Sequence, residues 1–191
     1  MSSPGPARWQ RLGHEVRLTT RIFDVHGVRY RHPGRGTERE FIVVRPPDWV
    51  NVVAVTPAAR IVLVRQFRFG IDGFSLEIPG GMMDPDEQDP VATARRELRE
   101  ETGYAGGAAH LLGSVHPNPA IQSNRSHFVL IEGAVPGHDL DWDPDEELAV
   151  ETRPEAEVFR LAETGGITHA LVLNALLLYR AFRREGGAAA V

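Results

Sequence analysis

The chain has no cysteine, which excludes disulfides and thiolate metal sites and makes a reducing cytoplasm the simplest home. It has no apolar run long enough to span a bilayer. Met1 to Gln10 is polar, contains Pro and Gly, and lacks the apolar stretch of an export signal. Basic charge is not in excess: 21 Lys and Arg against 26 Asp and Glu give a net charge of −5, which argues against nucleic acid or an anionic membrane as partner. No internal repeat is visible. What remains, 191 residues with 42% hydrophobic content, is enough for one sizeable α/β core with a short element appended.

Residues 1–13 and 186–191 are small, polar or Gly/Ala-rich and are expected to fray. Residues 14–46 read as a β arm. Val16 to Val25 and Val28 to Arg31 alternate apolar and charged side chains, and His32-Pro33-Gly34-Arg35-Gly36 supplies a turn ahead of Phe41-Ile42-Val43-Val44. The arm holds too few apolar residues for a core of its own, so it should pack on the main domain or on a second subunit. Pro46-Pro47 marks a boundary, and residues 47–185 form the main domain. There Trp49 to Val55, Ile61 to Phe67 and Phe74 to Ile78 read as strands. The unbroken runs Val52 to Val55 and Ile61 to Val64 suit central strands covered on both faces. Further strands are expected at Leu111 to His116, His127 to Glu132 and Leu148 to Thr152. Helices are expected at Pro154 to Glu163 and Thr168 to Arg184, the second with an apolar stripe of Leu171, Val172, Ala175, Leu176, Tyr179 and Phe182.

The segment Arg96-Glu97-Leu98-Arg99-Glu100-Glu101-Thr102-Gly103 crowds three carboxylates into one helical turn, where neighbours at i, i+3 and i+4 repel. Asp89-Pro90 reads as the N-cap and first residue of that helix and Gly103 as its stop. Arg95, Arg96 and Arg99 could make it an ordinary solvated face. The Pro79-Gly80-Gly81 entrance and the glycine stop favour a site instead. Carboxylate oxygens from Glu97 and Glu101, with Glu100 beside them, are hard ligands that suit Mg²⁺ or Mn²⁺ rather than zinc. Mg²⁺ held by few carboxylates takes the rest of its shell from water and substrate phosphates, so the pattern points to a phosphorylated small molecule.

Gly81, Glu87, Arg96, Glu97, Leu98, Glu100, Glu101, Gly103 and Tyr104 fill the pattern Gx5Ex7REUxEExGU, with U a bulky apolar residue, and on them the chain resembles the Nudix hydrolase family. Eight residues separate Glu87 from Arg96 where the pattern has seven, so either Glu87 holds the first acidic position with an insertion after it or Gln88 holds it. In such proteins that first glutamate mostly braces the loop. Val62 to Arg68 and Leu76 to Gly81 resemble the ADP-ribose pyrophosphatase and nucleoside diphosphate sugar hydrolase branch. Pro117-Asn118-Pro119-Ala120 and Asn124-Arg125-Ser126-His127 resemble a motif of some of its sugar-nucleotide enzymes.

The resemblance implies an α/β/α sandwich with a mixed central sheet and an N-terminal antiparallel β arm, and a homodimer in which the arm helps build the partner's substrate site. It implies metal held by Glu97, Glu101, the carbonyl of Gly80 and a later loop glutamate matched by Glu146, with Glu147 the fallback. Glu146 is then the expected general base and Glu100 its rival. Arg68 matches a diphosphate contact and Glu77 an acidic residue near the metals, while Asn118, Asn124 and His127 are candidate substrate contacts. The reaction implied is Mg²⁺-dependent hydrolysis of a P–O–P bridge by an activated water, ADP-ribose giving AMP and ribose 5-phosphate. Two alternatives stand beside it. One is another Nudix specificity, such as a dinucleoside polyphosphate, an RNA cap or an oxidised nucleotide, for which no basic or cap-binding region is seen. The other is a non-catalytic ligand sensor, which would have lost box glutamates that are all present here. Trp49, Phe23 and Tyr30 could stack on a nucleobase, with core packing the default for each. His169, after an expected N-cap at Thr168, is read as capping or packing.

Overall fold

A computed structural model describes residues 5–142 and 147–186. The chain divides into two units, residues up to Pro47 with His116–Asn124, and Asp48–Val115 with the residues from Arg125 onward.

The first unit is built on an antiparallel sheet of β1 (Gln10–Thr19), β2 (Asp24–Arg31) and β3 (Glu38–Arg45) in that order. β1 begins at Gln10, inside the segment expected to fray, because its backbone pairs with Arg31 and Tyr30 of β2. The stretch Val16 to Val25 is not continuous strand: Thr20 turns it, its N–H bonding the Phe23 carbonyl at 3.0 Å and its hydroxyl the same oxygen at 2.7 Å. Val16, Leu18, Phe41 and Ile42 stay about half exposed. Tyr30 meets Phe41 edge to face at 5.9 Å. The later segment around Ile121 pairs with the end of β3, Val44 N–H donating to the Ile121 carbonyl at 2.8 Å, a long-range link absent from the sequence reading.

The second unit holds β4 (Trp49–Val55), β5 (Arg60–Arg68), β6 (Gly73–Glu77), α1 (Pro90–Thr102), β7 (Tyr104–Ala105), β8 (Ala109–Val115), β9 (Ser126–Glu132), β10 (Val135–Pro136), β11 (Ala149–Pro154), α2 (Glu155–Glu163) and α3 (Ala170–Arg184). The main sheet runs β11-β5-β4-β9-β8, with β6 paired to β5. It is mixed because β4 and β9 are parallel. Its central strands lack alternation because both faces are covered. Val53, Ile61, Leu63, Phe128 and Leu130 pack against α2 and α3, while Val50, Val52, Ala54, Val62, Val129 and Ile131 pack against Ala94 and Leu98 of α1. The result is an α/β/α sandwich. The buried residues of α3 are the six of the apolar stripe. Trp49 packs, partly buried, on the α2/α3 side of the core.

α1 begins as its residues dictate: Asp89 accepts the Val91 N–H at 2.9 Å, Pro90 follows, and Gly103 closes the helix at φ 69°. α3 differs from expectation, since His169, not Thr168, stands at the N-cap and no side chain caps the helix. Tyr179, fully buried in α3, donates its hydroxyl to Glu155 of α2 at 3.0 Å. Burial and then the adjacent carboxylate hold that phenol's pKa well above its usual value. Tyr179→Phe is expected to lower stability by about 1–2 kcal/mol, read as a shift in the urea midpoint at constant m-value. An unchanged midpoint would remove this bond from the forces joining the two helices.

Candidate active site

The three carboxylates of α1 do not face open solvent. Glu101 is 4% exposed, and the side chains of Glu97 and Glu100 are only 12% and 24% exposed. Glu97 and Glu101 meet the segment from Pro79 to Met83, which runs antiparallel along β4. Val52 N–H donates to the Pro79 carbonyl at 2.8 Å, Val50 N–H to Gly81 at 2.9 Å, and Met83 N–H to Asp48 at 2.9 Å. Because alternate residues of an extended chain turn their polar groups to opposite edges, Gly80 turns its own away from β4. Its N–H reaches Glu101 Oε2 at 2.9 Å.

Space is tight at both glycines, against backbone at Gly80 and against a side chain at Gly81. A Cβ on Gly80 would lie 2.2 Å from the Val50 carbonyl oxygen, and one on Gly81 would lie 2.5 Å from Glu97 Oε1. The Glu97 carboxylate thus occupies a cradle that a side chain would fill.

Arg96 relieves much of the crowding among these carboxylates. Its Nη1 stands 3.0 Å from Glu97 and 2.9 Å from Glu100, and its Nη2 3.4 Å from Glu87 and from the Met82 carbonyl. Burial opposes the charged form of Arg96, but these three acids outweigh it and raise the pKa. Glu87 decides the question of the inserted residue. Its Oε2 accepts from Thr93 Oγ1 at 2.8 Å and from Asp84 N–H at 3.3 Å, so Glu87 rather than Gln88 braces the loop ahead of α1. Burial would raise its pKa, yet Thr93, Arg96 and the Asp84 N–H together lower it.

A second group forms where β5 meets β6. Arg68 places Nε and Nη2 at 2.8 and 2.7 Å from the two oxygens of Glu77, whose side chain is 3% exposed. Burial pushes Glu77 toward protonation, but Arg68, His169 and Ser75 outweigh it and hold the pKa below the usual value. His169 Nε2 lies 3.9 Å from Glu77 Oε2. The sequence reading did not place His169 here, and no local pattern could, since 92 positions separate it from Glu77.

The remaining candidates have bonds of their own. Asn118 and Asn124 belong to the first unit: the Asn118 carbonyl accepts from Gln122 N–H at 2.7 Å in a turn, and Asn124 Nδ2 donates to the Pro47 carbonyl at 3.1 Å. His127, in the second unit, already engages both ring nitrogens, Nδ1 with Ser114 Oγ at 2.7 Å and Nε2 with Asp48 Oδ2 at 3.5 Å. Glu146 lies outside the described residues, and Glu147 is exposed. The segment from Gly137 to Trp142 wraps the end of α1, with Asp141 N–H on the Glu100 carbonyl at 3.0 Å and Trp142 Nε1 on the Glu101 carbonyl at 2.9 Å.

Among the described residues no three acids or imidazoles converge enough to hold a metal alone. Glu97 and Glu101, which meet the Gly80-Gly81 strand, and the Gly80 carbonyl offer hard oxygens beside a glycine cradle. That set fits a hard divalent cation which keeps water and takes phosphate oxygens from its substrate.

A mixed sheet between helices, with an acidic helix end turned onto a Gly-Gly strand, defines a phosphohydrolase scaffold. The chain belongs to the Nudix family: the NUDIX domain model matches residues 45–176. It is 32% identical to the CMP-5'-(N-acetyl-N-hydroxy-3-aminopropyl)phosphonate hydrolase of Streptomyces rubellomurinus, over 94% of this chain and 87% of that one. It is 35% identical to the ADP-ribose pyrophosphatase of Bacillus subtilis over 52% of each chain. Its fold superimposes on the crystal structure of an ADP compounds hydrolase with a TM-score of 0.84 and 25% identity, covering 97% of this chain and all of the other. It is accordingly a Nudix pyrophosphohydrolase, of a family that generally uses a divalent metal. No helix among the described residues is long and apolar enough to cross a membrane.

Proposed function

We propose that this enzyme hydrolyses the diphosphate of ADP-ribose or a related nucleoside diphosphate sugar to a nucleoside monophosphate and a sugar phosphate, with Mg²⁺ as its ion. The observation that carries the reading is the inward turn of Glu97 and Glu101 onto the Gly80-Gly81 strand. Glu97, Glu101 and the Gly80 carbonyl would hold the ion, with Glu146 as a further ligand. When bound, Mg²⁺ supplies a Lewis acid for phosphate oxygens and makes a water more acidic. Glu146 is our assignment for the group that takes the water's proton, with Glu100 the rival, since Glu100 is already engaged by Arg96. Arg68 would grip the diphosphate, with Glu77 holding its guanidinium at the site until substrate arrives. Asn118, Asn124 and His127 stay candidate substrate contacts.

We further propose a cytoplasmic homodimer. The half-exposed Val16, Leu18, Phe41 and Ile42 of the arm support the dimer, and the absence of cysteine suits the compartment. A second reading rests on one observation: the relative matched over 94% of this chain has a name that joins CMP to a phosphonate. The deciding experiment is a panel of ADP-ribose, GDP-mannose, UDP-glucose and a CMP-phosphonate with Mg²⁺, scored by released phosphomonoester. Turnover of the first three with none of the last supports our choice. Turnover of the CMP-phosphonate alone overturns it.

Arg68→Ala is expected to raise KM roughly tenfold with kcat within about threefold, because a gripping contact is shared by ground and transition states. It also leaves the buried Glu77 short of its partner, an effect we put at about 1–2 kcal/mol of stability because Arg68 itself is partly exposed and screened. A flat KM would remove Arg68 from the substrate contacts.

A further inference from the structure

Arg68 cannot offer substrate the edge that it now gives to Glu77. Its Nε and Nη2 are both committed to that carboxylate, at 2.8 and 2.7 Å. If the guanidinium swings toward a diphosphate, Glu77, with its side chain 3% exposed, loses charged donors where water cannot replace them.

One side chain is placed to fill the gap. His169 Nε2 stands 3.9 Å from Glu77 Oε2, just beyond hydrogen-bond range. The ring does not cap α3, although His169 occupies the N-cap position. Its Nδ1 is buried without a hydrogen-bond partner among the described residues. Neither nitrogen therefore anchors the ring, and a movement of under about 1 Å would close the distance to Glu77.

We propose that His169 is a positioning residue that takes over Glu77 when Arg68 turns to the substrate's diphosphate. The proposal rests on the diphosphate reading of the site. Burial first, with Arg68 adding to it and Glu77 opposing it, keeps the imidazole pKa below its usual value, so the ring is neutral at neutral pH and carries one N–H. With that proton on Nε2, the ring donates to Oε2, and Glu77 stays ionised while Arg68 is away. No bond is made or broken beyond the exchange of hydrogen-bond donors. The exchange lowers the cost of releasing Arg68 and so favours substrate binding.

The test has a kinetic arm and an arm that needs no turnover. His169→Ala should raise KM for ADP-ribose roughly tenfold with kcat within about threefold, and His169→Gln, whose amide can still donate, should recover most of the loss. In a Glu77→Gln background His169→Ala should change KM by less than about twofold, because the charge to be held is gone. An unchanged KM in His169→Ala, or the same increase in both backgrounds, would overturn the proposal. In the second arm, ¹⁵N-resolved imidazole spectra of ligand-free Arg68→Ala should show His169 Nε2–H hydrogen-bonded, a signal absent from the ligand-free wild type. Identical His169 spectra in the two proteins would overturn the hand-over. A hand-over seen by spectroscopy while no nucleoside diphosphate sugar is hydrolysed would support the role of His169 and sink the substrate reading instead.

Discussion

Glu101→Gln should lower kcat on the order of 10³-fold while the protein melts no earlier than the wild type. The two halves of that expectation come from the same geometry. Glu101 ends α1 almost fully buried, with one oxygen accepting the Gly80 N–H. Glutamine has the same length and its amide oxygen can accept the same bond, so the packing and the Gly80 contact survive. What disappears is one negative charge beside Glu97 and Glu100. It is also a charge at the C-terminal end of a helix, where the backbone dipole already presents partial negative charge. Removing it relieves repulsion within the helix. If the charge is there to hold a cation against phosphate, activity falls steeply with no loss of fold. Steady-state kinetics with excess Mg²⁺, paired with a thermal melt, separates the cases. Near wild-type kcat would show that Glu101 serves the fold alone, and a lower melting temperature would show that its ionised form is structural.

The acidic helix was legible in the sequence because every signal for it is local. Asp89, Pro90 and Gly103 set its ends, and the register of Glu97, Glu100 and Glu101 follows. The apolar stripe of α3 was legible for the same reason, since a 3.6-residue period survives whatever the helix packs on. Glu87 against Gln88 could not be settled by spacing, because an inserted residue in a loop leaves no periodic trace. It took the bond from Thr93, inside the helix, to decide. The sequence offered Arg95, Arg96 and Arg99 alike as local partners for the crowded charge, and only the fold singles out Arg96, which reaches Glu97, Glu100 and, in the preceding loop, Glu87. His169 beside Glu77, and the segment around Ile121 beside β3, are meetings of residues far apart in the chain. Nothing in a single sequence marks which distant residues meet. The two-residue strands β7 and β10 were missed because strands so short have no alternation to detect.

Gly80→Ala is expected to cost about 2–4 kcal/mol of stability, and to lower kcat roughly 10²-fold in the molecules that remain folded. The added methyl would lie 2.2 Å from the Val50 carbonyl oxygen and 2.9 Å from the Asn51 Cα. Those atoms cannot yield, because β4 sits at the centre of the sheet with β9 hydrogen-bonded along its length. The segment from Pro79 to Gly81 must move instead. Movement stretches the bonds from Val52 to Pro79 and from Val50 to Gly81, and it draws the Gly80 N–H away from Glu101. Gly81→Ala makes the informative contrast. Its methyl would meet only the end of the Glu97 side chain, at 2.5 Å, and a carboxylate can rotate away. That variant should lose activity comparably but less than about 1 kcal/mol of stability, since a displaced side chain costs less than a displaced backbone. Urea titrations of both variants, with kcat measured on the folded fraction, give the comparison. Equal stability losses would mean that the two glycines serve only the path of the chain. Activity retained in Gly81→Ala would mean that the position of Glu97 does not matter to the reaction, and the assignment of Glu97 to the ion would fall.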